Sequence, residues 1–283
     1  MCLILLAYRV VPGVPLIVAA NRDEYFARPA APAAPWTDAP RVLAGRDLSG
    51  SGTWLGVSRS GRFAALTNFR NPATHRNDAP SRGALVRDFL TGGMPAGSYV
   101  QGLVRDATAY NGFCLLVRDG DHLMYYSNRA EAPFAVEPGI HGLSNHLLDT
   151  PWPKVVKGRA ALEGLTRAPF IIDDYLAMLD DTVPADERDL PEAGADIERE
   201  RRLSSLRILS AEYGTRCSTV VRLAESGTID FAERTYLPDG DIAGEVHWRS
   251  SGGTPPPSPI PGGALWSRVH EPRARVDRAP AGA

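Results

Sequence analysis

Residues 3–10 and 16–20 are apolar runs, and Val11-Pro12-Gly13-Val14-Pro15 between them carries the signals of a tight turn, so the chain opens as a β-hairpin. That hairpin decides what else can lie near the start of the chain. A turn close to Pro12-Gly13 brings Cys2 opposite residues 21–24, the polar cluster Asn21-Arg22-Asp23-Glu24. Side chains alternate along a strand, so Asn21 and Asp23 share one face and Arg22 and Glu24 the other. All four line one pocket only where the strand bulges. On this reading Asp23 is placed to hold the Cys2 amine, and Arg22 reaches back only through a bulge.

Cys2 follows Met1 directly. Loss of Met1 leaves a nucleophile and a free base on one residue. The α-amine has an ordinary pKa of about 7.7–8.0 and a thiol one of about 8.5. Such an amine activates its own side chain without a separate histidine. The competing reading is a small buried apolar residue heading a strand, because free cysteine is among the most buried residue types.

The remaining composition narrows the function. With 283 residues, 43% hydrophobic and 23% charged, the chain is long enough for a substantial core. A formal net charge of −2 argues against nucleic acid as a partner. Three widely spaced cysteines with no CxxC pair argue against a disulfide framework and fit a reducing, cytoplasmic setting. The six histidines show no metal-ligand spacing, so no metal is expected. No segment approaches the roughly 18 apolar residues of a membrane span, and Arg9 interrupts the opening run before it can serve as a secretory signal.

Along the chain, the proline- and alanine-rich residues 28–40 are expected to hold no regular element for long. Hairpins are expected over residues 54–68, turning at Ser60-Gly61, and over 113–127, turning at Asp119-Gly120. A short strand is expected at 139–145. Helical spacing marks 85–90, 98–107, 155–165 and 173–179, and a last strand pair covers 217–223 and 229–236. Residues 180–202 read as a charged loop and 203–209 are ambiguous. One domain is expected over 1–248, with 249–283 a Pro/Gly-rich disordered tail in which Trp266 is the one anchor. Strands at both ends with helices between suggest stacked mixed layers rather than βαβ units. No glycine-rich phosphate loop is present.

Two asparagines end predicted strands. Asn68, in Leu66-Thr67-Asn68-Phe69-Arg70, and Asn145, in Gly142-Leu143-Ser144-Asn145, are suitable oxyanion donors, worth about 2.7–4 kcal/mol in a transition state, or else satisfy turns. Arg70, beside the first, is a candidate substrate-binding residue, along with Asn21 and Arg22. Arg216 precedes a buried-looking strand and could bind a carboxylate or propionate bidentately, or make a surface ion pair.

These segments, together with Gly45-Arg46-Asp47, Gly52-Thr53-Trp54-Leu55-Gly56, Asp149-Thr150-Pro151-Trp152-Pro153-Lys154 and Gly214-Thr215-Arg216, resemble the NRDE-motif family, the transport and Golgi organisation protein 2 family. The likeness runs in unbroken order over about residues 1–240. It implies an α+β N-terminal-nucleophile (Ntn) hydrolase fold, a four-layer αββα sandwich of two antiparallel sheets between helices. By likeness to the choloylglycine and penicillin V acylase group, Cys2 would be nucleophile and base and Asp23 would position its amine. Asn68 and Asn145 would flank the oxyanion, and Arg216 would tune the thiol or hold substrate. That group separates its early arginine and aspartate by a few residues, whereas Arg22 and Asp23 are adjacent. The function implied is a cysteine amidohydrolase acting on a small or acylated amide, without a cofactor. The alternative is a non-enzymatic carrier of haem or of a lipid or acyl-coenzyme A ligand; a purely structural module ranks last.

Overall fold

The computed structural model describes residues 2–71, 74–190, 196–250 and 265–270. The opening hairpin forms as β1 (Leu3–Val11) and β2 (Val14–Tyr25), with Gly13 at φ +72° in the turn, where a residue with a side chain would be strained. Next to the turn the pairing is Val11 with Val14, but from Tyr8–Leu16 onward it has slipped by one residue. Arg9, at φ 54°, and Val10 together oppose Pro15, which has no N–H to offer a ladder. A one-residue slip exchanges the faces of a strand. The bulge therefore decides which residue of the 21–24 cluster lies across from Cys2.

Proline does not keep residues 28–40 irregular. β3 (Ala30–Pro35) forms there as an edge strand, with its pairing to β4 (Val42–Asp47) interrupted between Ala31 and Ala34. An edge is where a strand tolerates residues that cannot donate. β5 (Leu55–Ser58), β6 (Phe63–Asn68), β7 (Phe113–Asp119), β8 (His122–Ser127) and β9 (Phe134–Ala135) complete a seven-stranded antiparallel sheet in chain order. Its outer face is covered by α1 (Gly83–Thr91) and α2 (Ala96–Leu103), which bury Leu85, Val86, Phe89 and Val100 against it.

The second sheet has the order β10–β1–β2–β11–β12–β13–β14. β10 is Gly139–Leu143, β11 Tyr213–Leu223, β12 Ile229–Tyr236, β13 Ile242–Ser250 and β14 Ser267–His270. α3 (Pro153–Thr166) and α4 (Ile172–Leu179) cover it. A Cβ on Gly158 would lie 2.7 Å from Leu5 Cδ1, so only glycine lets α3 settle this closely on β1. Even-numbered residues of β1 (Ile4, Leu6, Tyr8) enter the core between the sheets with Val57, Phe63 and Leu116, and odd ones (Leu3, Leu5, Ala7) face the helices. The result is the αββα sandwich of two antiparallel sheets.

The charged loop expected over 180–202 also requires correction. The charged stretch before residue 203 contains α5 (Ile197–Leu203), whose Asp196 cap accepts from Glu198 N–H at 3.1 Å; acids in its first turn and arginines in its last suit the helix dipole. Strand structure continues past residue 248. β13 runs to Ser250, β14 adds a further strand, and Trp266 is buried in the inter-sheet core, donating to Pro40 O at 3.3 Å. Of the expected tail, residues 251–264 and 271–283 lie outside the described residues. Among the described residues no helix is long and apolar enough to cross a membrane.

Candidate active site

Leu3 pairs with Asn21, so the register carried one step further sets Cys2 opposite Arg22. Cys2 and Arg22 therefore share the inner face, and Asn21 and Asp23 point to the helix layer. The faces alternate as the sequence indicates, and it is a bulge that brings Arg22 to the thiol, though one far from it along the strand. It needs no bulge beside it, because the one at Arg9 and Val10 has already moved it onto the thiol's face. A second bulge lies on β11 between Thr215 and Cys217, and Arg216 is the residue it extrudes.

Asn21 is structural in its contacts. Its side chain donates to Leu179 O at 2.9 Å and Leu206 O at 2.8 Å and accepts from Ser218 at 2.6 Å, tying β2 to the end of α4 and to the middle of the 203–209 segment. The Asp23 carboxylate accepts from Thr215 Oγ1 at 2.6 Å and faces Lys154 Nζ at 3.4 Å, both ionic partners being buried. The aspartate touches Cys2 through its main chain: the thiol donates to Asp23 O at 3.8 Å.

The partner of the Cys2 nitrogen is Asn145. Cys2 N–H donates to Asn145 Oδ1 at 2.7 Å, while Asn145 Nδ2 donates to Asn68 O at 2.8 Å. Asn145 sits at φ 45°, a left-handed conformation that asparagine tolerates better than most residues. Both ends of its amide are thus engaged in positioning. Asn68 differs: its carbonyl is used, its side chain makes no hydrogen bond among the described residues, and it lines the cleft beside Cys2.

Arg70 and Arg216, both candidates for substrate, are occupied elsewhere. Arg70 forms a two-pronged ion pair with Glu200 of α5, with Nη1 to Oε2 at 2.8 Å. Arg216 donates to Tyr25 O and Arg28 O, both at 2.9 Å, and so clamps the turn after β2. It does not line the cavity at Cys2.

That cavity, about 450 Å³, is lined by Cys2, Arg22, Asp23, Glu24, Arg28, Asp47, Trp54, Asn68 and the 75–83 segment. A second lobe of about 510 Å³ shares Asn68 and runs past Asn145, Tyr25 and Tyr213 to Arg199 and Arg202. Arg22 is only 6% exposed; it stacks on Trp54 at 4.3 Å and stands 3.9 Å from both Glu24 and Asp47, and its Nη1 has no hydrogen-bond partner. Burial pushes the Cys2 thiol up, while the positive chain start and Arg22 pull it down. Arg82, which sequence reasoning passed over, also lines the cavity, as does Trp54. Lys154 was legible in principle, as it shares helical spacing with Gly158 and Leu162 on the buried face of α3.

Fold and site together define an αββα sandwich in which a cysteine at the head of an inner-face strand opens into a charged cleft between the sheets. Residues 1–238 match the family Transport and Golgi organisation 2. The chain is 39% identical over 240 residues to the Transport and Golgi organization protein 2 homolog of Bos taurus, covering 78% of this chain and 87% of that protein. It is 35% identical over 253 residues to the Homo sapiens homolog (83% and 90%). The chain belongs to the Transport and Golgi organisation 2 family. Among solved structures it is similar to a Caenorhabditis elegans N-acylethanolamine-hydrolyzing acid amidase ortholog, at TM-score 0.46 and 12% identity over 77% of this chain and 92% of that one. It is also similar to a C2A mutant of conjugated bile acid hydrolase from Clostridium perfringens, at TM-score 0.47 and 8% identity (83% and 89%).

Proposed function

We propose that the chain is an N-terminal cysteine amidohydrolase cleaving a small or acylated amide. The observation that carries this reading is the 2.7 Å bond from Cys2 N to Asn145 Oδ1, which fixes the nitrogen beside its own thiol at the wall of a cleft. Removal of Met1 turns that nitrogen into an amine. The amine takes the Sγ proton, and the thiolate attacks the amide carbon to give a tetrahedral oxyanion, toward which the unengaged Asn68 amide donates. The C–N bond breaks, the leaving nitrogen takes the proton from the ammonium group, and a thioester remains. Water, deprotonated by the amine, adds to the thioester; the C–S bond breaks, a carboxylic acid leaves, and the ammonium returns its proton to the thiolate. The buried Arg22 on the same face stabilises the thiolate.

The charged lining of the first lobe favours this reading over a carrier of haem or of an acyl chain, which needs an apolar slot. The test combines intact mass with electrophile labelling. Loss of Met1, stoichiometric labelling at Cys2, and turnover of a panel of amides that Cys2→Ala abolishes are expected. Retention of Met1 in protein that still turns over would overturn the self-activated thiol.

A further inference from the structure

The first lobe has cations that its own carboxylates do not neutralise. Arg28 bonds Asp47 at 2.8 Å and stands 3.9 Å from Glu24, and Lys154 answers Asp23 on the other face. Arg82 has no such partner. It makes no ion pair among the described residues, and its one hydrogen bond sends Nη1 to Gly112 O at 3.0 Å, leaving most of its five donors unused. Burial pulls its guanidinium down, and the groups that hold it up are Cys2 and Glu24. Arg82 is half-buried in the wall of the cleft, and a guanidinium beside the nucleophile with no carboxylate of its own has donors free for an anion that enters.

Its mounting is rigid. Arg82 immediately precedes α1, and a Cβ on Gly52 would lie 2.3 Å from the Gly83 carbonyl carbon, so two backbones touch there. Thr53 N–H donates to Gly83 O at 3.2 Å across the same contact. The first turn of α1 holds no acidic residue, so the positive end of the helix adds to the field.

We propose that Arg82 anchors a carboxylate of the substrate: the amide cleaved at Cys2 carries an anionic group on the portion that enters the first lobe, as an N-acyl amino acid does. This rests on the hydrolase reading for the cleavage but not for the binding. Arg82 then acts as a specificity residue, selecting charged amides over neutral ones of equal size.

Two measurements on the full chain separate the ideas. Cys2 of the Met1-free protein is alkylated with iodoacetate, which is anionic, and with iodoacetamide, which is neutral. Arg82→Gln is expected to lower the iodoacetate rate about ten-fold, the factor that ~1.4 kcal/mol represents, while the iodoacetamide rate stays within about two-fold and Arg82→Lys keeps part of the preference. An iodoacetate-to-iodoacetamide ratio that Arg82→Gln leaves unchanged overturns the anion subsite and leaves the nucleophile standing. In the second measurement, N-acetylglycine and N-acetylglycinamide are titrated calorimetrically into Cys2→Ala. Tighter binding of the acid, lost in Arg82→Gln, sustains the subsite even if Cys2 proves unreactive; equal binding of the two rejects it. Displacement of N-acetylglycine by inorganic phosphate in preference to acetate overturns the carboxylate assignment.

Discussion

The main-chain nitrogen of Cys2 and the side-chain oxygen of Asn145 lie 2.7 Å apart across a sequence separation of 143 residues. The same amide holds Asn68 O at 2.8 Å, so one side chain sets the spacing between the nitrogen, the thiol and the candidate oxyanion donor. Asn145→Ala is expected to cost about 1–3 kcal/mol for the buried groups it leaves unpaired. Because small misplacements at a reacting centre are expensive, Cys2 labelling should slow by about 100-fold. Thermal unfolding and labelling rate, measured on the same sample, separate the two effects; labelling at the wild-type rate would remove Asn145 from the site.

Asp23 and Lys154 form a buried ion pair, 3.4 Å apart, with the lysine 1% exposed. Asp23→Asn keeps an acceptor for Thr215 but strands the ammonium, at an expected cost of about 3–5 kcal/mol. Adding Lys154→Met should restore most of the stability. If the double variant regains its midpoint of unfolding but not its Cys2 reactivity, the carboxylate serves the amine as well as the framework. Recovery of both assigns it to the framework alone.

Arg70 and Glu200 pin α5 over the second lobe, with the carboxylate buried and the guanidinium raised above its ordinary range by that bond. Glu200→Gln is expected to destabilise the chain by about 1.5–3 kcal/mol, the worth of charged hydrogen bonds. Limited proteolysis should cut first near α5. Arg70→Met combined with Glu200→Gln should cost less than the two changes added together; strict additivity would show that the pair contributes nothing as a pair.

His141 Nδ1 lies 2.7 Å from an Asp149 oxygen, and the other oxygen accepts Gly142 N–H at 2.8 Å, bracing the loop that presents Asn145. The hydrogen bond to Asp149 raises the histidine above its ordinary 6.5, and its partner is held below 3.8. A raised histidine stabilises fully below 6.5 and loses that contribution as pH climbs through the folded value. The stability difference between wild type and His141→Asn should therefore be largest near pH 6 and shrink toward pH 8, read as the gap between unfolding midpoints. A gap that widens over that range would contradict the sign.

The opening hairpin, the two central hairpins and the first four helices were legible because hydrophobic period and turn residues agree with the final packing. What escaped has local causes. The slip at Arg9 and Val10 is a backbone event opposite Pro15 with no side-chain signature, and it alone places Arg22 on the face of Cys2. Proline in residues 30–35 hid a strand because an edge forgives a missing donor. Arg82 gave no signal at all, since its meaning is the absence of a carboxylate in three dimensions. Trp266 stood out as an anchor, but no residue count could reveal that it docks on Pro40 O at 3.3 Å.

The strand order carries a consequence for biosynthesis. β1 and β2 pair with each other at once, but β1 takes its other neighbour from residues 139–143 and β2 from 213–223. A ribosome therefore delivers both strands of the opening hairpin well before either of their outer neighbours, and non-local pairing of this kind is slow. Both outer edges of the hairpin find their partners only in those later segments. The sheet that carries the candidate site is thus complete only after residues 213–223 have been made and have paired with β2, long after Cys2 itself.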